Sequence, residues 1–354
     1  MIGKTGMGKS TLLCELALAD ARAGRGFLLL DPHGDLAQDV RRSLPSRRKN
    51  DVVLIDPLQL DACPGLNPLR SVVPEDRSLV VSNVLATMRR LWDAGLWGPR
   101  TEHVLRHVLL ALLEVRGATL LDARDLLIDP RRREAILRQV HDPHVQAFWA
   151  QEFVGYGKAF VAEIAAPVLN KLGALLGNPV VRSLVTKSRP RLDARRLLDR
   201  GAIVLAPLPR GRLGEDATVL MGGLLLGAFQ AATLGRADCA ISERPPFFVF
   251  VDEVGSFVST PLLALVAEAR KFGVGLVLAT QSLAVLDPPV RQGLLGNIGT
   301  LVSFRVGADD AELVARELTH EVRAEHLMRF GAHEAVVRVG ASRPVVLGPS
   351  PRPG

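Results

Sequence analysis

The sequence has little that suggests covalent or metal cross-links. Its three cysteines, Cys14, Cys63 and Cys239, are scattered, and no CxxC pair occurs. This pattern argues against a disulfide framework. It is typical of a protein with ordinary thiols in the reducing environment of the cytosol. In "HEVRAEH" (320–326) the histidines are six residues apart, whereas the zinc-protease motif H-E-x-x-H places them on one helix face. We therefore expect no structural metal.

Long hydrophobic runs are also scarce. The first residues are polar and glycine-rich, unlike a secretory signal peptide. One uncharged stretch, residues 217–234 ("ATVLMGGLLLGAFQAATL"), reaches the minimum length of a membrane span. Because it contains Gln230, two threonines and three glycines, a helix buried in an α/β core is the favoured interpretation, and a membrane span is the alternative.

The 354 residues, 48% of them hydrophobic, suffice for about two globular domains. The net charge of +7 favours an anionic partner such as nucleic acid. Most of the positive charge is arginine, which a G+C-rich coding bias would also produce, so charge alone leaves both explanations open.

The N-terminal part alternates helix and strand patterns. A helical pattern over Lys9–Arg22 precedes two continuous apolar runs, Phe27–Asp31 and Asp51–Asp56. Such runs are typical of parallel strands covered on both faces. From about Pro74 to Ser188 the strand-like runs vanish and helical periodicity dominates.

Alternation then resumes, with strands predicted over 202–208, 246–253, 274–281 and 299–306, and two edge strands near the end. The pattern predicts an α/β fold with a parallel doubly wound sheet and an inserted all-α domain. The expected divisions are 1–73 and 196–347 for the two parts of the sheet domain, 74–195 for the insertion, and 348–354 for a flexible tail.

The opening "MIGKTGMGKST" contains the phosphate-binding pattern G-x-x-x-x-G-K-[ST], formed by Gly3, Gly8, Lys9 and Ser10. Glycines let the backbone N–H groups turn toward a phosphate at the start of the following helix. Lys9 would neutralise phosphate charge and Ser10 would ligate Mg²⁺. The predicted ATP contacts are Gly3, Lys4, Thr5, Gly6, Met7, Gly8, Lys9, Ser10 and Thr11.

An acidic pair ends the apolar run "FFVFVDE". Charged groups at the end of a buried strand are costly unless they are used. We expect Asp252 to bind Mg²⁺ and Glu253 to orient and deprotonate the attacking water. Gln281 ends the next predicted strand, where its amide would lie beside the γ-phosphate, because neighbouring strands end at the same site.

Eight segments occur in the same order as in a known family: "GKTGMGKST", "LLLDPHGDL", "VVLIDP…NPL", "WGPRTEHVLRHVLLALLE", "FW…EF", "PVLNKLG", "FFVFVDEVGSF" and "ARKFGVGLVLATQS". The chain resembles the HerA/FtsK superfamily of P-loop motors, and most closely the TraG/TraD-like coupling ATPases of conjugation and type IV secretion. The resemblance covers about residues 2–340.

The resemblance implies a RecA-like ATPase domain with an all-α domain between the two nucleotide motifs, using ATP and Mg²⁺. It also implies a cytoplasmic homo-hexameric ring that moves DNA through a central channel, with type IV secretion or relaxosome components as further partners. Coupling proteins often carry an N-terminal membrane anchor. Arg270 matches an arginine that such rings place across the subunit boundary, and Arg305 is a second candidate for that role; either can instead be a surface arginine.

Two further segments have open interpretations. Asp31, His33 and Asp35 in "DPHGD" either position water or metal or only shape a turn. The basic loop "PRGRLGED" (209–216) either faces a DNA channel or is a solvated surface.

Only Met1 and Ile2 precede the phosphate-binding loop. In this fold the preceding strand is central, so its loss would leave two ladders of backbone groups unpaired. Ile2 is expected to be the last residue of that strand. We therefore expect a truncated fragment or a chain started at an internal methionine, which folds poorly and binds ATP weakly alone.

The leading functional hypothesis is an ATP-driven DNA translocase of conjugative or secretion-type transfer. The alternatives are a HerA-like repair motor, a protein-secretion ATPase, and a nucleotide-binding scaffold with little turnover. The intact Asp252–Glu253 pair argues against the scaffold. The sequence contains no LSGGQ-like segment, which argues against an ABC-type transporter ATPase.

Overall fold

A parallel sheet of five strands forms the centre of the computed structural model, which describes residues 1–69, 72–91, 98–187, 192–319 and 321–348. The strand order is β2-β3-β1-β4-β5, and all neighbouring pairs are parallel. The strands are β1 Gly26–Asp31, β2 Val52–Leu54, β3 Ile203–Pro207, β4 Phe247–Val251 and β5 Val274–Leu278.

Both faces of this sheet are covered, which explains its continuous apolar strands. Successive side chains of a strand point to opposite faces. Phe27 and Leu29 accordingly pack in one core with the first two helices, and Leu28 and Leu30 pack in the other core. The first two helices are α1 Lys9–Arg22 and α2 Asp35–Ser43. The predicted doubly wound parallel sheet is therefore confirmed.

Three strands near the C-terminus form an antiparallel sheet in the order β6-β7-β8. They are β6 Thr300–Ser303, β7 Ala335–Val339 and β8 Val345–Leu347. Two late edge strands were predicted here. β8 lies at an edge, but β7 is the central strand, because it pairs with both β6 and β8.

Ile2 joins the two sheets. It forms parallel bridges to Thr280, after β5, and to Ser303 of β6. Its N–H donates to Val302 O at 2.9 Å, and its carbonyl accepts from Phe304 N at 2.9 Å. The predicted central position of Ile2, with neighbours on both sides, is confirmed, and this pairing fixes where the following loop begins.

Among the described residues between β2 and β3 no strand of either sheet occurs, and a 3₁₀ turn, Pro74–Asp76, leads into a series of helices. They are α3 Arg77–Leu91, α4 Pro99–Glu114, α5 Asp122–Ile128, α6 Pro130–Leu137, α7 Pro143–Ala147, a π-helical turn Phe148–Phe153, α8 Lys158–Gly177, α9 Pro179–Thr186 and α10 Ala194–Asp199. Asp129, Asp142 and Asn178 cap three of them through side-chain oxygens, each with proline at the next position.

The remaining helices follow β3 and complete the layers around the sheets. They are α11 Arg210–Leu213, α12 Glu215–Gly235, α13 Thr260–Glu268, α14 Pro288–Leu295, α15 Ala308–Glu317 and α16 Ala324–Arg329. α3 packs against α12, where a Cβ on Gly223 would lie 2.4 Å from Thr87. The absence of a side chain at Gly223 therefore permits this close approach.

Two described helical segments are long and apolar enough to cross a membrane by length and composition, Ala159–Gly177 and Glu215–Asp238. In the second, 78% of the most apolar window is buried inside the protein, against 28% in the first. The helix over 217–234 is thus the buried core helix that the sequence favours. The predicted tail lies outside the described residues from 349 onward.

Candidate nucleotide site

The phosphate-binding loop runs from Ile2 to the start of α1. Gly6 and Gly8 have φ values of 75° and 111°, in the left-handed region that favours glycine. A Cβ on Gly8 would also lie 2.8 Å from Nδ1 of His333. The loop therefore needs glycine at this position for backbone conformation and for space.

Lys9 is almost fully buried, with 6% of its surface exposed. Its ammonium group donates to the carbonyls of Gly3 and Lys4 in the same loop. Burial lowers the pKa of Lys9, and the charges of Glu253 and Asp252 partly oppose this. Both acceptors are neutral loop carbonyls, so an anionic phosphate would be a stronger partner for the ammonium.

Asp252 directly follows β4 and is 4% exposed. Its N–H donates to Leu30 O at 3.0 Å, which continues the ladder between β1 and β4. Burial is the main cause that raises the pKa of Asp252 to about 6, and the nearby charges of Asp31 and Glu253 raise it further. A buried carboxyl crowded by other carboxylates is a strong position for a cation.

Glu253 has a left-handed backbone, with φ of 47° and ψ of 62°. Among the described non-glycine residues only Glu253, Thr319 and His333 have positive φ. Such a conformation is strained for a side chain with a Cβ and is concentrated at functional sites. It turns the chain sharply after Asp252, and the next residue pairs through Val254 N with Ala279 O at 2.7 Å.

Gln281 lies after the end of β5, and its Oε1 accepts a hydrogen bond of 2.9 Å from Thr5 Oγ1. The end of β5 is thereby tied to the phosphate-binding loop. Asp31, by contrast, shapes a turn. Its carboxylate accepts from the N–H groups of His33 and Ala37, both at 2.9 Å, and so forms the turn into α2.

A cavity of about 210 Å³ brings most of the predicted residues together. It is lined by Thr5, Gly6, Gly8, Lys9, Ser10, Thr11, His33, Asp252, Glu253, Gln281 and His333. Of the predicted loop residues, Gly3, Lys4 and Met7 do not line it. Their backbone groups instead pair with Thr280, Arg305 and His333 and hold the loop in place.

A larger cavity, of about 410 Å³, lies between α3 and α12 and includes Asn83, Gly223 and Ala228 in its lining. The smaller cavity is the better nucleotide candidate, because it combines loop N–H groups, a lysine and carboxylates at the carboxyl edge of the sheet.

The two predicted arginines lie outside the 210 Å³ cavity. Arg270 belongs to a short 3₁₀ turn, Ala269–Phe272, which precedes β5. It therefore lies at the edge of the sheet opposite Gln281, separated by about 15 Å of strand. Arg305 follows β6 on the loop side, where its carbonyl accepts from Lys4 N at 2.8 Å.

His333, which belongs to the turn before β7, is not among the predicted site residues. Its N–H donates to Met7 O at 3.0 Å. No local motif marks this histidine, since its position depends on how the C-terminal sheet packs against the loop. Its left-handed backbone is visible only in the structure.

Sequence comparison finds no matching family model and no matching curated protein. Solved structures do match. The bacterial conjugative coupling protein TrwBdeltaN70, in an unbound form, superposes with a TM-score of 0.72 at 15% identity, over 98% of this chain and 83% of that chain. The plasmid coupling protein TrwB in complex with ADP and Mg²⁺ gives a TM-score of 0.71 at 15% identity, with the same coverage.

VirB4 of Thermoanaerobacter pseudethanolicus gives a TM-score of 0.65 at 16% identity, over 99% of this chain and 88% of that chain. At these identities the likeness concerns the fold. The chain therefore has the fold of a RecA-like P-loop NTPase, with the architecture of the conjugative coupling protein TrwB.

Proposed function

We propose that this protein is an ATP-hydrolysing motor of conjugative DNA transfer or type IV secretion. The observation that carries this proposal is the convergence of Lys9, Asp252, Glu253 and Gln281 on one cavity, within a fold shared with a conjugative coupling protein. These residues come from three segments that are far apart in the sequence.

The residues fit ATP with Mg²⁺. The N–H groups of Gly6–Thr11 would surround the phosphates at the start of α1, and Lys9 would exchange its loop carbonyls for phosphate oxygens. The Ser10 hydroxyl and the buried Asp252 carboxylate are the hard oxygen ligands that Mg²⁺ prefers. When bound, Mg²⁺ would neutralise charge on the phosphate chain.

Glu253 follows the metal-binding position and lines the same cavity. In the proposed reaction its carboxylate orients the attacking water and accepts its proton. The Gln281 amide contacts the γ-phosphate and responds to its loss. Arg270 lies too far from its own cavity, so we assign it to the site of a neighbouring subunit, where it would stabilise transition-state charge.

The assembly we propose is a homo-hexameric ring on the cytoplasmic side of the cell membrane, with DNA in its central channel. Arg210 and Arg212 of α11 are suited to phosphate contacts, because neither guanidinium has a hydrogen-bond or ion-pair partner among the described residues. Secretion or relaxosome components would be the further partners.

A second candidate is a secretion ATPase that moves protein, because the residues of the cavity specify the chemistry of ATP and leave the cargo open. A repair translocase would share the same site chemistry. DNA dependence of hydrolysis separates the protein-moving alternative from the two DNA motors.

The test measures ATP hydrolysis by purified protein across protein and DNA concentrations. We expect the rate per subunit to rise with both, and Lys9→Ala to abolish hydrolysis. Lys49→Ala changes an exposed lysine far from the loop in sequence and is the matched control. Hydrolysis that persists in Lys9→Ala would contradict the site, and a rate insensitive to DNA would favour protein as the cargo.

A further inference from the structure

His333 extends from the C-terminal sheet to the 210 Å³ cavity and forms part of its lining. It is held in the turn between α16 and β7, where Gly331 N donates to Glu334 Oε2 at 2.6 Å. The following strand packs beside the loop, since Ala335 belongs to a small apolar cluster with Phe304 and Met7. The turn is thus pinned on both sides of the histidine.

The backbone of His333 is strained, with φ of 64°. Its N–H donates to Met7 O at 3.0 Å, which holds this conformation against the loop. Two of the three described non-glycine residues with positive φ, His333 and Glu253, line the same cavity. Strain concentrated at one cavity points to a function for the side chains that it positions.

The imidazole faces the start of α1. Its Nδ1 lies 2.8 Å from the position that a Cβ on Gly8 would occupy. The side chain is exposed, and neither ring nitrogen has a hydrogen-bond partner among the described residues. An imidazole N–H is therefore available at the mouth of the cavity where phosphates would enter.

We propose that His333 is a nucleotide-contacting residue that donates a hydrogen bond to the phosphate chain. This inference rests on the proposed function and adds a ligand from outside the two nucleotide motifs. The C-terminal sheet would thereby respond to nucleotide binding, because the hydrogen bond from His333 forms only when a phosphate occupies the cavity.

The experiment measures binding of Mg²⁺·ADP and of Mg²⁺·pyrophosphate by calorimetry. His333→Gly keeps the left-handed backbone and the N–H bond to Met7, and it removes only the side chain. We expect about tenfold weaker binding of both probes, the size of a lost hydrogen bond to a charged group. The melting temperature should not fall, since glycine relieves the strain.

His333→Asn tolerates the same backbone and supplies an amide N–H. It should recover part of the lost affinity, which a purely structural role would not require. Wild-type affinity in a folded His333→Gly protein would overturn the inference, while Lys9→Ala continues to report on the site itself. Weakening for ADP alone would overturn the phosphate assignment, and no binding by the wild-type protein would overturn the proposed function.

Discussion

Thr5 Oγ1 donates a hydrogen bond of 2.9 Å to Gln281 Oε1, between residues 276 positions apart in the sequence. The bond fixes the orientation of the Gln281 amide, because its oxygen is held by the loop. The NH₂ group remains as the donor that a γ-phosphate oxygen would accept. Thr5 thus holds the Gln281 amide in an orientation in which its NH₂ group can donate to a bound nucleotide.

Thr5→Val removes this hydroxyl with little change in shape. We expect ATP turnover to fall about fivefold, since a hydrogen bond of this kind contributes about 1 kcal/mol. Steady-state hydrolysis measures the effect, and Thr5→Ser, which keeps the hydroxyl, is the control. Turnover by Thr5→Val equal to that of the wild type would contradict the orienting role.

Glu253 combines the proposed base with a strained backbone. Glu253→Gln should lower hydrolysis by about 10²-fold or more, because the amide cannot accept the proton of water, and nucleotide binding should persist. Glu253→Gly should be equally inactive but more stable, by about 1 kcal/mol in the free energy of unfolding, because glycine has no Cβ penalty at positive φ.

Hydrolysis, nucleotide binding and urea unfolding together test these two variants. Full activity of Glu253→Gln would remove Glu253 from the chemistry. A Glu253→Gly protein less stable than the wild type would show that the glutamate side chain stabilises the fold.

His107 predicts a pH dependence of stability within the helical insertion. It is buried and stacks on Phe148 with ring centroids 3.9 Å apart, and its Nδ1 has no hydrogen-bond partner among the described residues. Burial is the main cause that lowers its pKa to about 4, and the charges of His103, His144 and Arg106 also lower it, whereas Glu152 opposes the shift.

The unfolded chain binds a proton at the ordinary histidine pKa of about 6.5, above the folded value. This residue therefore contributes a loss of stability as the pH falls from about 7 toward 4. The loss reaches about 2 kcal/mol at pH 5. His107→Phe keeps the stacking and should remove this part of the acid sensitivity.

Urea unfolding of both proteins between pH 5 and pH 7 measures the difference. The exposed His326 offers a control through His326→Gln, which should leave the curve parallel to that of the wild type. If the free energy of unfolding of His107→Phe depended on pH in the same way as that of the wild type, the prediction would be wrong.

Arg270 and Gln281 mark opposite ends of β5, so the two cannot meet at one site within a subunit. If Arg270 acts on a neighbouring site, mixing Arg270→Ala with Glu253→Gln protein should partly restore hydrolysis, because some interfaces then contain both intact groups. The measurement is hydrolysis against mixing ratio. Lys271→Ala, which changes the adjacent exposed cation, is the control and should retain activity by itself. If hydrolysis did not recover at any mixing ratio, Arg270 would have no role at the site of a neighbouring subunit.

Local patterns in the amino-acid sequence are enough to predict the chemistry of the site. Glycine spacing predicts the phosphate-binding loop, and continuous apolar runs predict parallel strands buried on both faces. Asp252 and Gln281 were predictable because each follows such a run, and parallel strands end at one edge of a sheet. The observed helix Lys9–Arg22 begins and ends where its pattern does.

Which distant segments meet, however, depends on how the elements pack together. The pairing of Ile2 with both Thr280 and Ser303 depends on strand order, which a local pattern does not encode. The structure likewise reveals the strained backbone of Glu253, the position of Arg270 at the far edge and the approach of His333 to Gly8. The physical reason is that local propensity specifies each element, whereas long-range backbone pairing and packing determine which residues share the cavity.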